Sequence, residues 1–80
     1  MKYKIGTLII AENGLKVDGN KVKNAFCIIV DYYPKKYPQY GLNICRYYHN
    51  GKIENDYAIL YEEDLNKWKE DKQFGYTFSK

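Results

Sequence analysis

Apolar positions in this chain come in short runs broken by turn-forming residues, and each run suits a strand better than a helix. The first, Lys4 to Ala11, is rich in β-branched residues and ends at Glu12-Asn13-Gly14. A second turn signal follows at Asp18-Gly19-Asn20, and between the two Leu15 and Val17 alternate with Lys16 in a short arm or excursion loop. Lys23 to Tyr33 is the most apolar run and predicts the central strand. Pro34 ends it, and Pro38, which has no N–H to donate, keeps the next loop from resuming a ladder. Leu42 to Tyr48 alternates Leu42 and Ile44 against Asn43 and Cys45 and runs into His49-Asn50-Gly51-Lys52, a strong hairpin signal. The returning strand spans Ile53 to Leu60, with Glu54 and Asp56 outward and apolar residues from Tyr57 on.

The period then changes. Between Glu62 and Glu70, Leu65 and Trp68 stand three apart, as on one helical face. Glu62, Glu63 and Asp64 open this segment while Lys67, Lys69 and Lys72 lie toward its end, an order that complements a helix dipole. About two turns cannot hold themselves in water, so the segment must dock on the sheet. The tail Phe74-Gly75-Tyr76-Thr77-Phe78 can add a last short strand near the first. The expected fold is mainly β: one domain over residues 1–80, a small barrel of about five antiparallel strands with one short C-terminal helix. Its predicted core is Ile5, Leu8, Ile10, Phe26, Ile28, Val30, Leu42, Ile44, Ile59, Leu65 and Trp68.

Composition narrows the classes. Eighty residues allow one small core. The longest apolar run, Ala25 to Val30, is far short of the roughly 18 residues that span a bilayer. The opening Met1-Lys2-Tyr3-Lys4 lacks the apolar stretch of a secretory signal, so a cytoplasmic setting in the host cell is expected. Cys27 and Cys45 sit inside apolar runs, with no Cys-x-x-Cys spacing and a lone His49, which disfavours zinc. They read as small buried hydrophobes in a reducing compartment, with a cross-strand disulfide left open. The net charge of +3 is weaker than that of dedicated nucleic-acid binders and of the wrong sign for a DNA mimic.

Several segments together resemble a known architecture. The opening Ile5-Gly6-Thr7-Leu8-Ile9-Ile10, the strand Ile28-Ile29-Val30-Asp31-Tyr32-Tyr33-Pro34, the hairpin Tyr47-Tyr48-His49-Asn50-Gly51-Lys52 and the closing Glu62-Glu63-Asp64-Leu65 occur in that order. Over residues 4–66 this looks like the small SH3-like β-barrels of bacteriophages and mobile genetic elements. The chain departs from their pattern at Thr7, where Asp is usual, and at Ala25-Phe26-Cys27, where Gly precedes the Val-rich strand. The resemblance implies an SH3-like barrel and a phage-type genetic context, and no catalytic residues.

Catalysis finds little support in the residues. A nucleophile needs a base and an orienting group, yet the only histidine flanks a turn and the six glycines are too scattered for a phosphate loop. The expectation is a non-enzymatic protein without cofactor, metal or membrane attachment. Ten tyrosines are the strongest compositional signal. Strand alternation should leave about half of them outside, where a large ring with a hydroxyl and few rotamers suits recognition. The predicted partner-binding patch is Tyr33, Tyr37, Tyr40, Tyr48 and Trp68, with Lys35 and Lys36 beside it. The first reading is a protein-binding module, an accessory factor or inhibitor that occludes a host or defence protein. A second is nucleic-acid binding, with the aromatics stacking on bases and Lys21, Lys23, Lys35, Lys36, Arg46 and Lys52 on phosphates; a single arginine weakens it. A third is an oligomeric nucleotide sponge. Oligomeric state is left open by the sequence.

Overall fold

The computed structural model describes residues 1–11, 16–71 and 75–79. Its elements are β1 (Leu8–Ala11), β2 (Lys16–Val17), β3 (Asn20–Tyr33), β4 (Gln39–Tyr48), β5 (Ile53–Tyr61), α1 (Glu62–Glu70) and β6 (Thr77–Ser79). All pairings are antiparallel, in the order β5-β4-β3-β1-β6, with β2 pairing separately to β3. The protein is therefore mainly β with one short helix, and the most apolar run is indeed the central strand. Among the described residues closure into a barrel is not seen: β5 and β6 are the two edges of an open sheet, and the three-residue β6 pairs there only with β1.

Local chemistry places the breaks. Asp18 and Gly19 both have positive φ, 50° and 80°, the pairing that a two-residue type I′ turn requires, and they join β2 to β3. The expected turn at Glu12-Asn13-Gly14, together with Leu15, Lys72 and Phe74, lies outside the described residues. The hairpin after Tyr48 closes through the Tyr48 N–H to Lys52 O bond of 2.9 Å, while Asn50 Oδ1 accepts the Lys52 N–H at 2.9 Å. Helix α1 starts with three acids and carries Lys67 and Lys69 in its last turn, and Asp64 reaches back to the Tyr61 N–H.

Strand alternation divides the sheet into two faces. The inner face carries Ile9 and Ala11 of β1, Ala25, Cys27 and Ile29 of β3, Tyr40, Leu42 and Ile44 of β4, and Ala58 and Leu60 of β5. Leu65 of α1, the N-terminal Tyr3 and Phe78 of β6 pack on it, and Ile9, Ile29, Tyr40, Leu42 and Leu65 have no accessible surface. The predicted core is right at Leu42, Ile44 and Leu65, and Trp68 packs against it half-buried. At β1 and β3 the prediction is one residue out of phase. Ile5, Ile28 and Ile59 are exposed, and Leu8, Ile10, Phe26 and Val30 are half-buried on the outer face. A one-residue slip exchanges the faces, and in Leu8–Ala11 and Ala25–Val30 every position is apolar, so periodicity there carries no phase. Glu54 and Asp56 lie on the inner-face side, beyond the cover of α1, where both carboxylates meet Arg46.

Two bulges in β3 reset the phase again. Register shifts between Val22 and Asn24 and between Ile29 and Asp31, so Val30 is an extra residue. Unbroken alternation from Ile29 would turn Asp31 and Tyr33 inward; the bulge turns them outward and brings Tyr32 in against Tyr40, ring centroids 5.0 Å apart.

Candidate recognition surface

The outer face has no helix over it among the described residues. Leu8, Ile28, Asn43 and Tyr57 lie side by side across β1, β3, β4 and β5, and Ile10, Phe26, Cys45 and Asn55 form the next row. Between Leu8, Phe26 and Ile28 on one side and Asn43, Asn55 and Tyr57 on the other lies an open hollow of about 710 Å³. Ile53, Tyr57, Ile59 and Tyr61, alternate residues of β5, all point out and are between 43% and 58% exposed. At the hairpin end Phe26 and Tyr47 meet edge to face with centroids 5.5 Å apart.

A polar cluster organises the other end. Tyr57 OH donates to Asp31 Oδ2 at 2.7 Å and lies 2.9 Å from Tyr33 OH. The bond to Tyr33, and then that to Asp31, pushes the Tyr57 phenol well above its ordinary value; its single proton is held by Asp31, and ionisation would set a phenolate against that carboxylate. Tyr57 lies across Gly41, where any side-chain carbon would collide with its hydroxyl. The glycine is thus what lets the ring lie flat on the sheet and reach Asp31. The Asp31 carboxylate is hydrogen-bonded within this cluster, and at the far end of the face Lys23 shares a shallow hollow with Asn24, Phe26 and Tyr47.

The predicted patch divides. Tyr33 is half-buried on the outer face beside Gln39 and Tyr61. Tyr37, Lys35 and Lys36 are exposed in the loop at the same end; Tyr37 shares a small hollow with Tyr61, and Lys36 Nζ sits 5.8 Å from its ring. Tyr40 and Tyr48 are not on the surface. Both occupy inner positions of β4, in phase with Leu42 and Ile44, and are 0% and 5% exposed. Tyr40 OH accepts the Lys2 and Tyr3 N–H groups at 3.0 and 3.2 Å and donates to Glu62 at 2.6 Å, tying the N-terminal segment to the sheet and to α1. Burial first, and the bond to Glu62 second, raise its pKa. Tyr48 OH donates to Glu54 at 2.7 Å. Trp68 stacks on Tyr76, centroids 4.8 Å apart and planes 2° from parallel, on the opposite side of the sheet from Tyr33.

The sequence reading missed Tyr47, Ile53 and Ile59 as surface residues and did not assign Tyr57 or Tyr61 to the patch. The alternation it saw at Leu42 and Ile44 extends to Tyr40 and Tyr48, and that signal would have exchanged Tyr48 for Tyr47. Cys27 and Cys45 are both free and lie on opposite faces, which removes the disulfide option. Burial raises the Cys27 thiol to about 11, so it stays protonated at neutral pH. Among the described residues no three His, Cys, Asp or Glu side chains gather as a metal site, and no helix is long and apolar enough to cross a membrane. No family model, curated protein or solved structure matches this chain.

Proposed function

We propose that the protein is a non-enzymatic recognition module whose outer sheet face covers a working surface of a protein partner. The supporting observation is that face itself: apolar and aromatic side chains from four strands, exposed together and carrying one carboxylate that is already hydrogen-bonded. Scattered exposed apolar residues are ordinary, but a contiguous patch around a hollow is what protein interfaces bury. Tyr57, Tyr61 and Tyr47 supply the aromatic anchors, and Ile28, Ile53 and Ile59 the apolar filling. The resemblance to SH3-like proteins of bacteriophages and mobile elements favours a host or defence protein in the cytoplasm as partner, with inhibition by occlusion as the outcome.

Nucleic-acid binding is the weaker alternative, because few cations line the aromatic face: Lys23 lies beside Phe26 and Tyr47 at the hairpin end. Arg46 is on the inner side, engaged by Glu54 and Asp56, and Lys35 and Lys36 belong to the loop at one end while Lys52 follows the hairpin at the other. The test compares the wild type with Ile28→Lys, a charge set in the middle of the hollow. Capture of a host protein should be lost in the variant while its melting temperature stays within a few degrees. Titration of duplex and single-stranded oligonucleotides at low and high salt should give no tight, steeply salt-dependent binding. Such binding, or capture indifferent to Ile28→Lys, overturns the proposal.

A further inference from the structure

Strand β5 is a nine-residue edge, and its hydrogen-bonding phase can be read from its ends. Tyr48 N–H bonds Lys52 O and Glu62 N–H bonds Pro38 O, and the register between runs unbroken. Even-numbered residues of β5 therefore bond β4, and the N–H and C=O groups of the odd residues from Ile53 to Tyr61 point away from the sheet. Two of those donors are occupied: Tyr57 N–H by Asp56 Oδ1 at 2.8 Å and Tyr61 N–H by Asp64 Oδ2 at 3.3 Å. An edge of this length is a template for another strand.

We propose that the occupant is a second copy of this chain, paired antiparallel β5 to β5 about Tyr57. The strand's own sequence argues for it. Only registers that set odd residues opposite odd residues close the ladder. One centred on Asp56 places Asp56 against Asp56 of the other copy, and one centred on Ala58 brings Glu54 against Glu62. Centred on Tyr57, Glu54 faces Leu60, Asp56 faces Ala58, Asn55 faces Ile59 and Ile53 faces Tyr61 of the second copy, so no like charges oppose. This register uses the whole strand and is two-fold symmetric, as an isologous dimer demands. It also makes one continuous outer face from two, doubling the apolar surface offered to a partner. Asp56 is then a guard: its carboxylate holds the Tyr57 N–H at the two-fold and must release it for pairing, as Asp64 must release the Tyr61 N–H at either end.

Sedimentation equilibrium checks the mass, which should approach twice that of the chain as concentration rises. A chain still monomeric at about 1 mM, the weak limit of specific association, overturns the proposal. Ile59→Pro removes an outward donor and leaves the β4 ladder whole, so it should weaken the dimer at least tenfold; an undiminished dimer overturns it. Asp56→Ala should tighten the dimer by about threefold, the worth of one released hydrogen bond, and a weaker dimer overturns the register. In a Cys45→Ser background, Tyr57→Cys should oxidise to an intermolecular disulfide, because directly paired positions lie about 5.5 Å apart. Ile53→Cys, which faces Tyr61, should not, and the reverse result overturns the register even if the proline variant fails to fold. Ile28→Lys should leave the dimer intact, which separates this interface from partner capture.

Discussion

Ile28 and Ile29 are neighbours in one strand, equal in chemistry, yet one is 40% exposed and the other has no accessible surface. The same division runs through the sheet: Ile9, Ile29 and Leu42 lie under α1, Tyr3 and Phe78, while Leu8, Ile28 and Ile59 face outward. Hydrophobicity does not separate these faces; cover does. An antiparallel sheet with one solvated side normally alternates apolar with polar residues. Here Leu8 and Ile10 of β1 and Phe26, Ile28 and Val30 of β3 carry the outer side, with Asn24 and Asp31 at its ends, so the middle of that face is as apolar as the inner one. The two faces also use tyrosine differently. Tyr40 is sealed in, its hydroxyl shared by two backbone donors and Glu62, whereas Tyr57 spends its hydroxyl on Asp31 and Tyr33 and leaves its ring in solvent.

The largest expected effect tests that division directly. Leu42→Ala should cost about 2–5 kcal/mol, because it removes a fully buried side chain and leaves a cavity, enough to unfold much of a domain this small. Ile59→Ala on the outer face should cost under about 1 kcal/mol. Urea denaturation of the pair decides it: comparable losses would mean that the outer face is covered within the monomer.

Next comes the glycine beneath Tyr57. Gly41→Ala should destabilise by about 1–3 kcal/mol, since the new carbon collides with the tyrosine hydroxyl and approaches Asp31 Cβ at 3.0 Å. Adding Tyr57→Ala should return much of that loss. A double-mutant cycle without coupling would mean that the ring does not lie on the glycine in solution. Tyr40→Phe follows at about 1–2 kcal/mol, because it leaves the Lys2 and Tyr3 donors and Glu62 without their shared partner.

How much of this was legible follows from the same contrast. Strands, hairpin and helix announced themselves because turn residues and a change of period mark their ends: Asp18-Gly19, Pro34, Asn50-Gly51 and the acidic opening of α1 lie where the elements break. The faces were legible only where polar residues alternate, as in Leu42-Asn43-Ile44. In the unbroken apolar runs of β1 and β3 either phase reads equally well, and the bulge at Val30, which sends Tyr33 out and Tyr32 in, leaves no mark in the residue pattern. Sheet closure was illegible for a different reason. Whether β5 meets β6 depends on sheet curvature accumulated over five strands, which no local signal encodes.

The smallest effect separates the faces by pH. On the inner side, Glu54 is held below its ordinary 4.5, first by the hydrogen bond from Tyr48 and further by the charges of Lys52 and Arg46. A carboxylate with a depressed folded pKa contributes stability that is complete above its unfolded value and is lost as pH falls through the folded one. On the outer side, Tyr57 is shifted upward from 10.0, so its contribution is complete below that value and is lost as pH climbs past it. Tyr40 and Tyr48 on the inner side are shifted upward too, so the alkaline limb sums both faces and substitution is what isolates the outer share. Glu54→Gln should flatten the acid limb below about pH 4.5 and, by removing the carboxylate that accepts from Tyr48, soften the alkaline limb as well, whereas Tyr57→Phe should soften the alkaline limb above about pH 10. Both groups are solvent-accessible, so the changes are small shifts of the urea midpoint. An alkaline limb indifferent to Tyr57→Phe would mean that Asp31 and Tyr33 do not hold this phenol in solution, and the contrast between the two faces in their use of tyrosine would fail.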